Sequence, residues 1–79
     1  MITDYIMTAM RRAKYEILPD GEGIYAEIPQ IPGVWANGST VEETREDLRL
    51  ALEGWIALAL VRGVSIPELD SVGIAPHSS

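Results

Sequence analysis

The sequence predicts a single α+β domain: an N-terminal helix, a three-stranded antiparallel sheet with a candidate fourth strand near the C-terminus, and one long helix packed against the sheet. Three observations carry that expectation. Residues 14–18 and 24–28 alternate side chains on either side of Pro19-Asp20-Gly21-Glu22-Gly23, the pattern of a β-hairpin. Pro29 and Pro32 then interrupt the extended chain, which resumes at Val34-Trp35-Ala36. Thr40, three residues ahead of Glu43, forms a capping box before a long proline-free stretch.

Each element has its own justification. Within residues 1–13, Thr3 or Asp4 can cap a helix in which Ile2, Tyr5, Ile6, Ala9, Met10 and Ala13 recur at spacings of three and four. Arg11, Arg12 and Lys14 stand at its end, where positive charge suits the helix dipole. Its polar side lacks the Lys/Arg-rich face of a membrane-surface helix, so packing on its own sheet or on a neighbouring subunit is expected. The sheet occupies residues 14–38: Tyr15 and Ile17 share one face of the first strand, Ala26 and Ile28 one face of the second. The Pro19–Gly23 loop has neither the ligand spacing of a calcium loop nor the Lys of a phosphate loop and reads as a plain turn. Ile31-Pro32-Gly33 predicts a turn with Pro and Gly at its centre, and Asn37-Gly38 offers two positions tolerant of positive φ. At the capping box the Thr40 hydroxyl should accept from the Glu43 amide, and the Glu43 carboxylate from the Thr40 amide.

The long helix spans residues 41–62, with Val41, Leu48, Ala51 and Leu52 as its inner stripe. From Leu50 to Val61 apolar side chains wrap almost the whole circumference, interrupted by Glu53 and Gly54. A helix apolar on all sides is normally buried on more than one, so the N-terminal helix, the tail and another subunit are all expected to cover it. Leu50, Trp55, Leu58, Leu60 and Val61 are therefore oligomer-interface candidates, and the chain is expected to form a homo-oligomer, a dimer or tetramer. Arg62 and Gly63 end the helix. The tail, residues 63–79, reads as a loop at 65–69, a candidate strand at 72–75 and a loose end at 76–79.

Composition narrows the function. Seventy-nine residues make one domain with a thin core, for which association is a natural way to add burial. Twelve acidic residues against six basic ones give a net charge of −6, which argues against direct DNA binding and favours a basic protein partner, or serves solubility alone. The absence of cysteine excludes disulfides and thiolate metal sites and fits a reducing compartment. With no signal-peptide pattern, and with residues 55–61 far too short an apolar run to span a bilayer, a soluble cytoplasmic protein is expected.

No catalytic residues, metal site or cofactor are expected. Glu16 and Glu27 are strand acids, and Glu42, Glu43, Glu46 and Asp47 lie near a helix start, but no spacing forces them together into a cation site. The single histidine, His77, stands in the tail, and Ser39 and Thr40 have no sequence-near base.

The order of hairpin, Ile-Pro-Gln-Ile-Pro-Gly-Val-Trp, then Gly-Ser-Thr-Val-Glu-Glu-Thr opening a long helix, closely resembles the HicB-like antitoxin family. Tyr25, Ala26, Ile28, Pro29, Ile31, Pro32, Gly33, Gly38, Thr40, Glu42, Glu43, Leu48 and Leu52 occupy the family's pattern positions, and the match covers roughly residues 14–60. The resemblance implies a partly degenerate ribonuclease H-like sheet crossed by one helix. It also implies a role as antitoxin, masking a small basic toxin of double-stranded-RNA-binding fold that cleaves messenger RNA. The family's C-terminal DNA-binding domain has no counterpart in the sixteen residues after Gly63, and the N-terminal helix is extra, as in a shorter stand-alone subgroup. Tyr25, Glu27, Gln30, Trp35 and the acids Glu42, Glu43, Glu46 and Asp47 are the partner-binding candidates. The alternative is a stand-alone oligomeric module with no toxin partner.

Overall fold

The computed structural model describes residues 2–69. In chain order the elements are α1 (Ile2–Arg11), β1 (Lys14–Ile17), a tight turn at Pro19–Gly21, β2 (Ile24–Glu27), β3 (Trp35–Gly38) and α2 (Val41–Arg62). The strands form one antiparallel sheet in the order β1-β2-β3, and α2 lies on one face of it against β3 and β2, with α1 packed on α2. The α+β architecture expected from the sequence is the one observed. The candidate strand at 72–75 and the end of the tail, with His77, lie outside the described residues.

The connections follow from local chemistry. Asp20 (φ 58°) and Gly21 (φ 70°) both adopt left-handed backbone, and the Glu22 amide donates to the Pro19 carbonyl at 3.2 Å, which makes a hairpin turn matched to the strand twist. The crossing from β2 to β3 is two consecutive turns. The Ile31 amide donates to the Ile28 carbonyl at 2.9 Å, and the Val34 amide to the Ile31 carbonyl at 3.2 Å. Pro29 and Pro32 take the second position of each turn, and Gly33, at φ 100°, takes the third position of the latter. Between these stiff corners the Ile31 side chain is fully buried.

At the start of α2 the Thr40 hydroxyl accepts from the Glu43 amide at 3.0 Å, as expected. The return bond differs. Thr40 is extended (φ −128°, ψ 164°), and the Glu43 carboxylate accepts at 3.2 Å from the Ser39 amide, one residue further out than the Thr40 amide. The helix ends at Gly63 (φ 70°), whose amide reaches back to the Ala59 and Leu60 carbonyls while the Val64 amide donates to Ala59 at 2.9 Å.

Gly38 corrects a second expectation: neither it nor Asn37 has positive φ. Glycine is needed there for space. A Cβ on Gly38 would lie 2.7 Å from the Thr44 hydroxyl and 3.0 Å from the Thr44 nitrogen, and one on Gly23 would lie 2.6 Å from the Gly38 carbonyl oxygen. The first turns of α2 thus sit directly on the end of β3. Thr44 tolerates complete burial because its hydroxyl donates to the Thr40 carbonyl at 2.7 Å and lies 3.4 Å from the Ile24 carbonyl.

That seat sets the inward stripe of α2 as Thr44, Leu48, Leu52, Ile56 and Ala59, at steps of four, four, four and three. Leu48 and Leu52 belong to it as expected and Ala51 flanks it, half-buried. Val41 does not: it precedes Thr44 by nearly a turn and stands half-open beside Met7 and Tyr15. The stripe meets Ala26, Ile28, Ile31, Val34 and Ala36 from the sheet and its crossing, Tyr5 and Ala9 from α1, and Leu69 from the trailing segment, which the sequence presents only as loop. The Tyr5 hydroxyl donates to the Pro67 carbonyl, tying α1 to the chain beyond α2, and burial raises the Tyr5 pKa. Because α2 lies over β2 and β3, the face of β1 that carries Tyr15 and Ile17 lacks cover from it, and Ile17 is 82% exposed.

Gly38→Ala is expected to lose about 1–3 kcal/mol of stability, since the new methyl meets Thr44 backbone that cannot rotate away. Tyr5→Phe, which keeps the packing and leaves the Pro67 carbonyl without its donor, is expected to lose about 1 kcal/mol. Urea denaturation followed by circular dichroism measures both.

Candidate functional site

Antiparallel register puts directly opposed residues on the same face of a sheet. Lys14 pairs with Glu27 and Glu27 with Trp35, and Glu16 pairs with Tyr25 and Tyr25 with Asn37. These six residues form the face turned away from α2, while the other face carries Ala26 and Ala36 into the core. No element of the described residues covers the outer face.

Two side chains organise it. The Tyr25 and Trp35 rings stack with centroids 6.3 Å apart and an interplanar angle of 26°, and Trp35 remains 57% exposed. The Tyr25 hydroxyl donates to Glu27 Oε1 at 2.9 Å. That hydrogen bond, then partial burial and the negative charges of Glu27 and Glu16, raise the Tyr25 pKa above its ordinary value. Beside the stack the two proline turns rise as a wall, leaving a shallow depression of about 160 Å³ bounded by Trp35, Tyr25, Glu27, Pro29 and Pro32. An aromatic floor, rigid apolar walls and one carboxylate can hold a cationic side chain by its stem and its charge together.

The partner-binding candidates divide between the two sides of the sheet. Tyr25, Glu27 and Trp35 come together on the open face, with Gln30 exposed on the adjoining turn. Glu42, Glu43, Glu46 and Asp47 lie on α2, across the sheet from them. Glu43 is engaged in the cap, and Glu46 pairs with Arg49, which also reaches Glu53. Glu42 and Glu46 border a larger open groove of about 720 Å³ between α1 and α2, with Tyr15 of β1 also in its lining. Three of that groove's lining residues are arginines, Arg11, Arg45 and Arg49, so its acids are offset locally. Among the described residues no three His, Asp or Glu side chains converge in a way that could hold a metal ion. No helix of the described residues is long and apolar enough to cross a membrane.

Lys14, Glu16 and Asn37 share the open face without being among the sequence candidates. Pairing the alternation of 14–17 against that of 24–27 across the turn carries the signal for Lys14 and Glu16. Pro29 and Pro32 read in the sequence as strand stops, and their second use as pocket walls needs the crossing geometry.

The UPF0150-like family description matches residues 4–67, from the first turn of α1 to the proline that Tyr5 contacts. The chain belongs to the UPF0150-like family. It is similar to the UPF0150 protein ssl0259 of Synechocystis sp. (strain ATCC 27184 / PCC 6803 / Kazusa), with 38% identity over 56 residues that cover 70% of this chain and 77% of that protein. The crystal structure of TTHA0281 from Thermus thermophilus superposes with a TM-score of 0.86 at 45% identity, covering 92% of this chain and 96% of that one. The α1-sheet-α2 architecture of this UPF0150-like chain is thus shared with a solved structure.

Because Tyr25 is held neutral by its bond to Glu27, it should ionise later than an ordinary tyrosine as pH rises. Its contribution to stability is present below the usual phenol value near 10 and disappears as pH climbs through the raised one. Glu27→Gln is expected to bring the Tyr25 transition down toward the ordinary range in a spectrophotometric titration, with Tyr25→Phe identifying which of the three tyrosines moves.

Proposed function

We propose that this UPF0150-like chain is an antitoxin-type binding protein of the HicB-like kind, which neutralises a small basic RNA-cleaving toxin by covering its nucleic-acid-binding surface. The observation that carries the proposal is the open sheet face, where an exposed tryptophan stacks on a tyrosine beside a carboxylate and a preformed depression. Family membership and the resemblance of the proline-punctuated crossing and capped acidic helix support it.

The chain does no chemistry in this mechanism. A basic surface built for phosphate is attracted by the net charge of −6, which raises the encounter rate, and docks on Tyr25, Trp35 and Glu27. A toxin Lys or Arg enters the depression with its stem along Trp35 and Pro32 and its charge at Glu27. Once that residue is occupied, RNA is excluded by overlap and by the surrounding negative charge.

The test is to look beside the gene for a reading frame encoding a small basic protein, to co-express that protein with the chain, and to assay its RNA cleavage with and without the chain; a gene with no such neighbour also contradicts the assignment. Restored growth and suppressed cleavage are expected. Trp35→Ala should weaken the complex by about 2 kcal/mol, roughly thirtyfold, without loss of fold because the ring is largely exposed. Raising salt should slow association far more than it speeds dissociation. A neighbouring protein that neither binds the chain nor loses RNase activity in its presence contradicts the assignment.

A further inference from the structure

A second surface left uncovered by the described residues lies on α2, on the side opposite the sheet. At 100° per residue Leu50, Gly54, Ala57 and Val61 fall within a sector of about 60°, facing away from Leu48, Leu52 and Ile56, and Leu58 flanks it. Leu50 is 51% exposed, Leu58 50% and Val61 84%, and no ionisable residue stands in this sector between Leu50 and Val61. The apolar line is about 17 Å long. Leu60 is also half-exposed but belongs to the flank carrying Glu53, and Trp55 packs half-buried against the core.

Gly54 stands at the middle of that line, and nothing among the described residues requires it. A Cβ there would meet no atom within 4 Å, and its φ is not positive. Glycine in mid-helix is unfavourable in itself, so its use on an open face fits a site where another backbone approaches closely. Leu50 and Leu58 each lie four residues from Gly54, so the line is self-complementary about it. Rotation by 180° lays each leucine on the other's counterpart. The charges choose the direction: Glu43 and Asp47 continue the same line toward the N-terminus, while the C-terminal end carries no acid and has Arg62 in its last turn, on the flank beyond Leu58. A parallel pair would press the acids against their own copies. An antiparallel pair sets each acidic end beside the partner's Arg62 end and opposes the helix dipoles.

We infer that two copies of this chain associate by antiparallel packing of α2 on α2 about a two-fold axis beside Gly54, with Leu50 of each copy against Leu58 of the other. This contact is on the far side of the domain from the Tyr25–Trp35 face, so a dimer presents two such faces outward, and the pairing is independent of any toxin.

Sedimentation of the full chain at micromolar concentration tests the inference, together with two substitutions and a cross-link. The wild-type protein should be a dimer. Leu58→Asp should leave the circular dichroism unchanged and yield a monomer that still exposes the sheet face, so its toxin binding reports separately on the proposed function. Gly54→Ala should strengthen the isolated helix and yet weaken the dimer about tenfold or more, an opposition that a purely structural glycine would not produce. The chain has no cysteine, so Leu50→Cys and Leu58→Cys each carry a single thiol; oxidised as a mixture, they should give the mixed disulfide in excess over either homodimer. A monomeric wild type, a dimer indifferent to both Leu58→Asp and Gly54→Ala, or a predominance of Leu50→Cys homodimer disulfide would each overturn the inference.

Discussion

The structure depends on how closely α2 can sit on the end of β3. Gly38 has no side chain, Thr44 fills that space, and Gly23 lets the β2 backbone approach from the other side. With Thr44 locked between the Thr40 and Ile24 carbonyls, the rotation of a 22-residue helix is fixed at its first turns. Leu48, Leu52 and Ile56 then point at the sheet because they stand four, eight and twelve residues further on, and Leu50, Gly54, Ala57 and Val61 must point away from it. The same contact places α2 on one face of β2 and β3, which leaves the other face to Tyr25 and Trp35 and leaves β1 without cover from α2.

A chain of 79 residues has one long helix with which to cover one sheet face. Domains of this size bury only about 60% of the surface their unfolded chains expose, and the remainder includes apolar groups wherever a second layer is missing. Beside the exposed Met7, Tyr15, Ile17 and Val41, two parts of that remainder differ in character. The outer sheet face mixes aromatic rings with Glu16, Glu27 and Lys14 and suits a charged partner. The outer line of α2 is uncharged from Leu50 to Val61 and suits another apolar helix. One helix seat thus separates the surface attributed to a foreign protein from the surface attributed to a second copy.

What the sequence makes legible is what short-range chemistry decides. The Asp20-Gly21 turn, the proline corners with Gly33, the Thr40 cap and the Gly63 stop all announce themselves within a few residues, and each element they bound is present. What it leaves hidden is set by contacts between elements. Gly38 and Asn37 read as a flexible corner, although Gly38 is there to admit Thr44. Thr44 looks like a surface residue until its hydroxyl is seen to be satisfied by backbone carbonyls. Tyr15 and Ile17 alternate like any core strand, but α2 passes β1 by. The acids of α2 and the aromatics of the sheet are separated by few residues along the chain and lie across the sheet from one another. Trp35, beside a polar turn, gives no local sign of its direction; its pairing with Glu27 settles it.

The central claim is that one face of the sheet is free in the folded protein. Acrylamide quenching of a Trp55→Phe protein, whose only remaining tryptophan is Trp35, tests it most directly. Quenching close to that of a solvated indole, with emission at water-like wavelengths, is the predicted result. A Trp35 that resists the quencher and emits at apolar wavelengths would contradict it, because the ring would then lie under some part of the chain instead of facing outward from the sheet.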